Sequence, residues 1–321
     1  MNRIGRISIG GLLLLSNLAQ AETLFITLEK DNALAVVDPL AGKLLKTVAV
    51  GQRPRGIAIS PDAKKLYVAT SDDDSIQVVD AESLKVIGKL PSGQDPETFA
   101  LSPAGEALYV SNEDDSMVTA IDLNQGKAIK TVAVGVEPEG ITVSPDGQWL
   151  VSATEATNML HWIDRKTLTV VDNTLVDPRP RALGFSSDSR RLWVTSEMAG
   201  SVTVLDTESR QIIKNIKFEI AGVSQEAIQP VGVVIDQAGQ KAYVALGPAN
   251  RVAMINAQTF EVEMYFLVGQ RVWNLAFSPD QSRLYTTNGV SNDISIIDLQ
   301  KQQVTKSVAV GRYPWGVAVK P

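Results

Sequence analysis

The chain of 321 residues has no cysteine and a single histidine, His161. Without cysteine there are no disulfides, no iron–sulfur clusters, no thioether-linked haem and no thiol catalysis. One histidine cannot build a His-rich zinc or copper site, and it weakens any case for axial haem ligation. A Ser-His-Asp triad would have to use His161, which falls in a strand-like segment away from the loops. Positive charge is also scarce: a net charge of −6 disfavours nucleic acid held by bulk electrostatics. There is no Gly-x-Gly-x-x-Gly dinucleotide turn, no phosphate loop and no long helical pattern. No apolar run reaches the ~20 residues of a membrane span.

What is present begins with residues 1–21. Arg3 and Arg6 precede the short apolar run Ile7–Leu15, and Ala19-Gln20-Ala21 follows as a small-x-small cleavage site. This is the pattern of a secretory signal, and it predicts a periplasmic protein whose mature part is residues 22–321. Lacking disulfides, that part has to rely on its core. A chain of about this size buries roughly three quarters of its unfolded surface, which is enough.

The mature part repeats. Apolar five-residue cores start at Leu24, Leu66, Leu108, Leu150, Leu192, Ala242 and Leu284, always 42 residues apart except for a step of 50 before Ala242. Asp38, Asp80, Asp122, Asp164, Asp206, Asn256 and Asp298 keep the same phase. So do Pro54, Pro96, Pro138, Pro180, Pro230 and Pro314, with Val272 breaking the series. Seven units of roughly 40–45 residues, each with four short β candidates, predict an all-β seven-bladed β-propeller of four-stranded blades. In the second unit the strands are expected at Gly56–Ser60, Lys65–Thr70, Ser75–Asp80 and Lys85–Leu90, with Ser60-Pro61-Asp62 turning between the first two. The first unit lacks an innermost strand and the chain ends in one, at Gly316–Pro321. The last strand is therefore expected to complete the first blade and remove the open edges. The longer step falls near Glu219–Ala227, before Pro230, on either reading a binding loop or a neutral extension.

If strands A to D are numbered outward from the axis, the Gly-x-x-Pro-x-Gly stretches are D-to-A connections, and the residue after each Pro lies near the mouth of the axial channel. Those residues are Arg55, Glu97, Glu139, Arg181, Val231, Trp273 and Trp315. The residues before each Pro are Arg53, Asp95, Glu137, Arg179, Gln229, Arg271 and Tyr313. B-to-C connections on the same face add Glu29, Glu113, Glu155 and Glu197, with Asp72, Asp73, Asp114 and Asp115 nearby. A mouth of mixed charge with aromatics suits a polar organic ligand or a protein side chain. Mutual neutralisation by surface ion pairs is the structural alternative. The candidate binding residues are Arg55, Glu97, Glu139, Arg181, Trp273, Trp315, Arg271, Tyr313, Glu113, Glu155 and Glu197. Trp149, Trp162 and Trp193 are expected in strand packing, as is His161, whose counterparts are Gln77, Thr119, Thr203, Ala253 and Ser295. Glu97 and Glu139 resemble a paired-carboxylate acid–base set, but repetition accounts for them equally. The acidic loops offer oxygen ligands for Ca²⁺, without the spaced ligands of a dedicated loop.

The five-residue cores, Leu108-Tyr-Val-Ser-Asn112 above all, resemble the YVTN family of β-propeller repeats. Gly51-Gln-Arg-Pro-Arg-Gly56, Gly135-Val-Glu-Pro-Glu-Gly140, Ala245–Val252, Val268-Gly-Gln-Arg-Val-Trp273, Thr286–Asp293 and Gly311-Arg-Tyr-Pro-Trp-Gly316 are similar to the periplasmic propeller proteins associated with pyrroloquinoline quinone (PQQ)-dependent alcohol catabolism. That resemblance implies association with a quinoprotein dehydrogenase or a transport component. It carries over no catalytic residue. The histidine shortage and the absence of a tryptophan-docking repeat set the chain apart from haem d1 propellers and from the quinone enzymes themselves.

The expected function is accordingly a non-enzymatic binding or scaffold protein of PQQ-dependent alcohol oxidation, holding a small molecule or a protein partner on the D-to-A face. No cofactor is expected, with PQQ and calcium left open. The alternative is an enzyme, a lactonase-like hydrolase or a quinone-linked oxidoreductase with a carboxylate-held cofactor. Single-stranded nucleic acid binding is a third reading, disfavoured by the acidic loops beside Arg53, Arg55, Arg179, Arg181, Arg271 and Arg312.

Overall fold

The periodic Asp has a local cause. In all seven units the side-chain oxygen at the end of strand C accepts the backbone N–H three residues on, as in Ala41 to Asp38 at 2.8 Å, Thr167 to Asp164 at 2.7 Å and Thr259 to Asn256 at 3.0 Å. This Asx turn reverses the chain into strand D. The Ser-Pro-Asp turn works likewise: the Ser60 hydroxyl donates to Asp62 at 2.6 Å and accepts the Lys65 N–H at 2.9 Å. Ser144, Ser186 and Ser278 do the same in their units.

The structure, a computed structural model, describes residues 22–321; the expected signal at residues 1–21 lies outside them. Seven four-stranded antiparallel sheets form a seven-bladed β-propeller. Strands B and C, such as Lys65–Thr70 and Ser75–Asp80, are buried along almost their whole length. Simple alternation fails there because each blade is covered on both faces by its neighbours. Strand D, as in Lys43–Ala49 and Thr169–Leu175, is instead mostly exposed. Strand A of the second blade runs Pro54–Ile59 and begins at the proline, two residues before the expected start. The residues after the proline position, such as Arg55, Glu97, Glu139 and Arg181, thus belong to the innermost strands rather than to loops.

The ring closes as expected. The C-terminal strand Pro314–Lys320 pairs antiparallel with Thr23–Leu28, with Thr23 opposite Lys320 and Leu24 opposite Val319. Its other contacts reach strand A on either side, Pro54–Ile59 and Val272–Phe277. The longer unit places its extra residues between Ile212–Lys217 and Val233–Ile235. Phe218 and Ile228 anchor that segment in the core around Trp193, and a 3-10 turn, Gln225–Ala227, lies exposed between them.

Candidate functional site

The mouth is built by a second periodic device. The residue before each strand A adopts a left-handed backbone in Arg53, Asp95, Glu137, Arg179, Arg271 and Tyr313, with φ between 49° and 60°. Such a conformation costs a non-glycine residue about 1–2 kcal/mol. It is held from both sides. In five of the six its N–H donates to an Asn or Asp side chain 21 residues earlier, as in Arg53 to Asn32 at 3.0 Å, Asp95 to Asp74 at 3.0 Å, Arg179 to Asn158 at 2.9 Å and Arg271 to Asn250 at 2.8 Å. Its carbonyl accepts the N–H of the residue closing strand B: Glu113 to Asp95 at 3.0 Å and Glu197 to Arg179 at 2.9 Å. The B-to-C glutamates and the D-to-A arginines are thereby fixed side by side.

They enclose a cavity of about 320 Å³. Eight candidate residues line it: Arg55, Glu113, Glu139, Arg181, Glu197, Arg271, Trp273 and Trp315. Glu97 and Glu155 stand behind the wall as buried partners of the arginines. Tyr313 departs from expectation. It is 39% exposed, outside the cavity lining, with Lys30 5.8 Å from its ring centre. The lining also includes Glu29, Arg53, Asp95 and Arg179, which the repeat places on this face without distinguishing them from their counterparts. Arg53, Asp95 and Arg179 hold the left-handed position, and Glu29 follows strand B. The segment 219–227 contributes nothing to the lining.

Two ionic clusters form the walls. In one, Glu97 binds Arg55 and, at 2.9 Å, Arg53, which also binds Asp95. In the other, Arg181 contacts Glu139 at 2.6 Å and Glu155 at 2.5 Å, while Arg179 reaches Glu155 at 2.9 Å and Glu197 at 3.1 Å. Arg271 lies 4.4 Å over the Trp273 ring and Arg55 5.9 Å from that of Trp315. Carboxylates outnumber guanidiniums, and burial raises the pKa of three of the glutamates. Burial, opposed by Arg55, pushes Glu97 up. Burial, opposed by Arg181 and aided by a shared hydrogen bond with Glu155, pushes Glu139 well up. No guanidinium contacts Glu113; burial, then the charge of Glu97, pushes it up to about 8. Arg55 and Arg181 move upward: burial would lower them, but the surrounding glutamates outweigh it.

Asp95, Glu97 and Glu113 bring carboxylate oxygens within 4.8 Å of one another, a donor set of the kind hard cations take. Arg53 and Arg55 already supply positive charge there. The acidic loops have a different job. Asp73, Asp115 and Asp31 accept the N–H groups of Gln52, Gln94 and Arg312 at 2.9, 2.6 and 2.7 Å, closing turns. His161 is structural, as expected: Nε2 accepts the Gly135 N–H at 2.9 Å, as Gln77 does for Gly51 at 3.1 Å, and burial lowers its pKa.

The profile of the choice-of-anchor I domain matches residues 114–281, a little over half of the chain. That of the lactonase family, a 7-bladed beta-propeller, matches residues 32–133. Curated protein sequences give no significant match. Among solved structures, a putative 6-phosphogluconolactonase from Bacteroides uniformis is similar at 16% identity and TM-score 0.77, covering 94% of this chain and 100% of that one. A functionally unknown protein from Desulfotomaculum acetoxidans is similar at 13% and 0.78 (92% and 98%), and hydrazine synthase from Kuenenia stuttgartiensis at 23% and 0.74 (81% and 87%). At these identities the structures speak for the fold. The expectation of a non-enzymatic scaffold tied to PQQ-dependent alcohol oxidation is corrected by the lactonase match, which favours the alternative of a lactonase-like hydrolase.

Proposed function

The chain belongs to the choice-of-anchor I domain family, and from that premise we propose that it is a lactonase-like hydrolase working at the mouth of its axial channel. The YVTN resemblance is then one of repeat and fold. The lactonase match supports the reading, since residues 32–133 contain Arg53, Arg55, Asp95, Glu97 and Glu113. The chemistry of these groups supports it too. A lactone opens when water adds to the carbonyl carbon and the ring C–O bond breaks. Negative charge develops first on the carbonyl oxygen and then on the leaving ring oxygen.

The observation that carries the proposal is the Glu113 carboxyl on the cavity wall beside Asp95 and Glu97, where burial and the charge of Glu97 push it up to about 8 and favour the protonated acid. It gives its proton to the leaving ring oxygen. Asp95, within 4.8 Å, takes a proton from the attacking water. Arg53 and Arg55 offer positive charge to the carbonyl oxygen. The product is a hydroxy acid, and the two carboxyl groups exchange protons with solvent to reset. The export pattern of residues 1–21 would put this reaction in the periplasm.

A pH-stat assay of the purified protein on five- and six-membered lactones should record acid release. Glu113→Gln should lower the rate about 100-fold or more, the usual worth of a general acid. No release from any lactone, or an undiminished rate in Glu113→Gln, would overturn the proposal.

A further inference from the structure

Beneath the mouth the channel changes character. A second cavity of about 180 Å³ shares Glu139, Arg181, Trp273 and Trp315 with the charged one above, then continues between Ile141, Leu183, Val233 and Leu275. Trp273 and Trp315 line both cavities and so mark a collar where the charged wall gives way to one richer in aliphatic side chains, with Thr98 and Asn274 among them. At that collar Nε of Arg55 is buried without a hydrogen-bond partner, and the guanidinium lies beside the Trp315 ring. A buried donor without a partner is costly unless a ligand oxygen meets it.

We propose that this site takes an amphiphile: a lactone with a short unbranched alkyl substituent, its ring among the guanidiniums of the mouth and its tail in the cavity below. The inference rests on the hydrolase reading for the ring and adds the tail. A wall of charged groups alone offers an alkyl chain no burial. The lower cavity does, at about 0.8 kcal/mol per methylene, or roughly fourfold in affinity for each. Its volume equals on the order of six waters, which allows a tail of roughly four to six carbons at about one water volume per methylene.

The test uses straight-chain carboxylates from acetate to decanoate as stand-ins for the hydroxy-acid product, titrated calorimetrically into the whole protein. Affinity should rise about fourfold per methylene and level off near six carbons. Leu183→Trp, which fills the cavity, should shorten the plateau; Leu183→Ala, which enlarges it, should lengthen it. Affinity independent of chain length, or a plateau that stays put in both variants, would overturn the inference. Hydrolysis rates on lactones of increasing tail length separate it from the proposal above. Hydrolysis with no tail dependence sinks the tail alone. Graded carboxylate binding with no hydrolysis sinks the hydrolase and leaves the amphiphile site standing.

Discussion

Glu113 is the residue in which burial and like charge act in the same direction. Glu97 and Glu139 are buried more deeply, but each has a guanidinium in contact that pulls against the proton. Because its folded pKa of about 8 lies above the ordinary carboxyl value, Glu113 binds its proton more tightly in the native state than in the unfolded chain. The stability this contributes is fully present below the unfolded pKa, near 4.5, and is lost as pH rises through about 8. The melting temperature should therefore fall between pH 5 and pH 8.5, and Glu113→Gln should flatten that slope. An equal slope in the variant, read by circular dichroism across the range, would count against the assignment. Turnover of a lactone should follow the same proton and decline above pH 8. The repeat period places Glu113 on the mouth face. Its raised pKa was not legible, because it depends on Glu97 of the same blade and on having no guanidinium in contact, neither of which a period encodes.

At the scale of the element, the inner strands are crowded more tightly than the outer ones. A Cβ on Gly140 would lie 1.9 Å from the Arg181 carbonyl oxygen of the next blade, whereas one on Gly88, in an outer strand, would meet nothing within 4 Å. Gly140→Ala should cost about 2–3 kcal/mol or more. Gly88→Ala should be neutral or stabilising by about 0.5 kcal/mol, since glycine is a poor strand residue. Urea melts of the pair measure the contrast, and equal midpoints would refute the crowding. Other blades satisfy the corresponding carbonyl instead: Thr98 donates to that of Glu139, and Asn274 to that of Trp315 at 3.0 Å. The recurring Gly of Gly-x-x-Pro-x-Gly is legible as a motif. Its reason, a neighbouring blade's backbone, is a long-range contact. The Asn and Asp side chains 21 residues before the mouth were hidden for the same reason, since each looks like an ordinary turn residue until the partner N–H is known.

The whole molecule is a ring, and its stability depends on one seam. Six blades are made of consecutive strands; the first joins Thr23–Leu28 to Pro314–Lys320 from the far end of the chain. This was readable because the repeat begins out of phase and ends one strand beyond a whole unit. Trp315, Val317 and Val319 seat against the first, second and seventh blades through that strand. Trp315 is buried and the two valines partly so; a fully buried large apolar side chain is worth about 1.5–3 kcal/mol, a sizeable share of a net stability of about 5–15 kcal/mol. A chain ending at Val310 should also expose the edge of Thr23–Leu28 as a template for aggregation. It should lose its cooperative melt and scatter light at micromolar concentration, and a synthetic peptide of residues 311–321 should restore both the melt and the lactone turnover, because the peptide returns Trp315 to the mouth. A truncated protein that stays monomeric and melts as the full chain does would show that the ring holds without its seam.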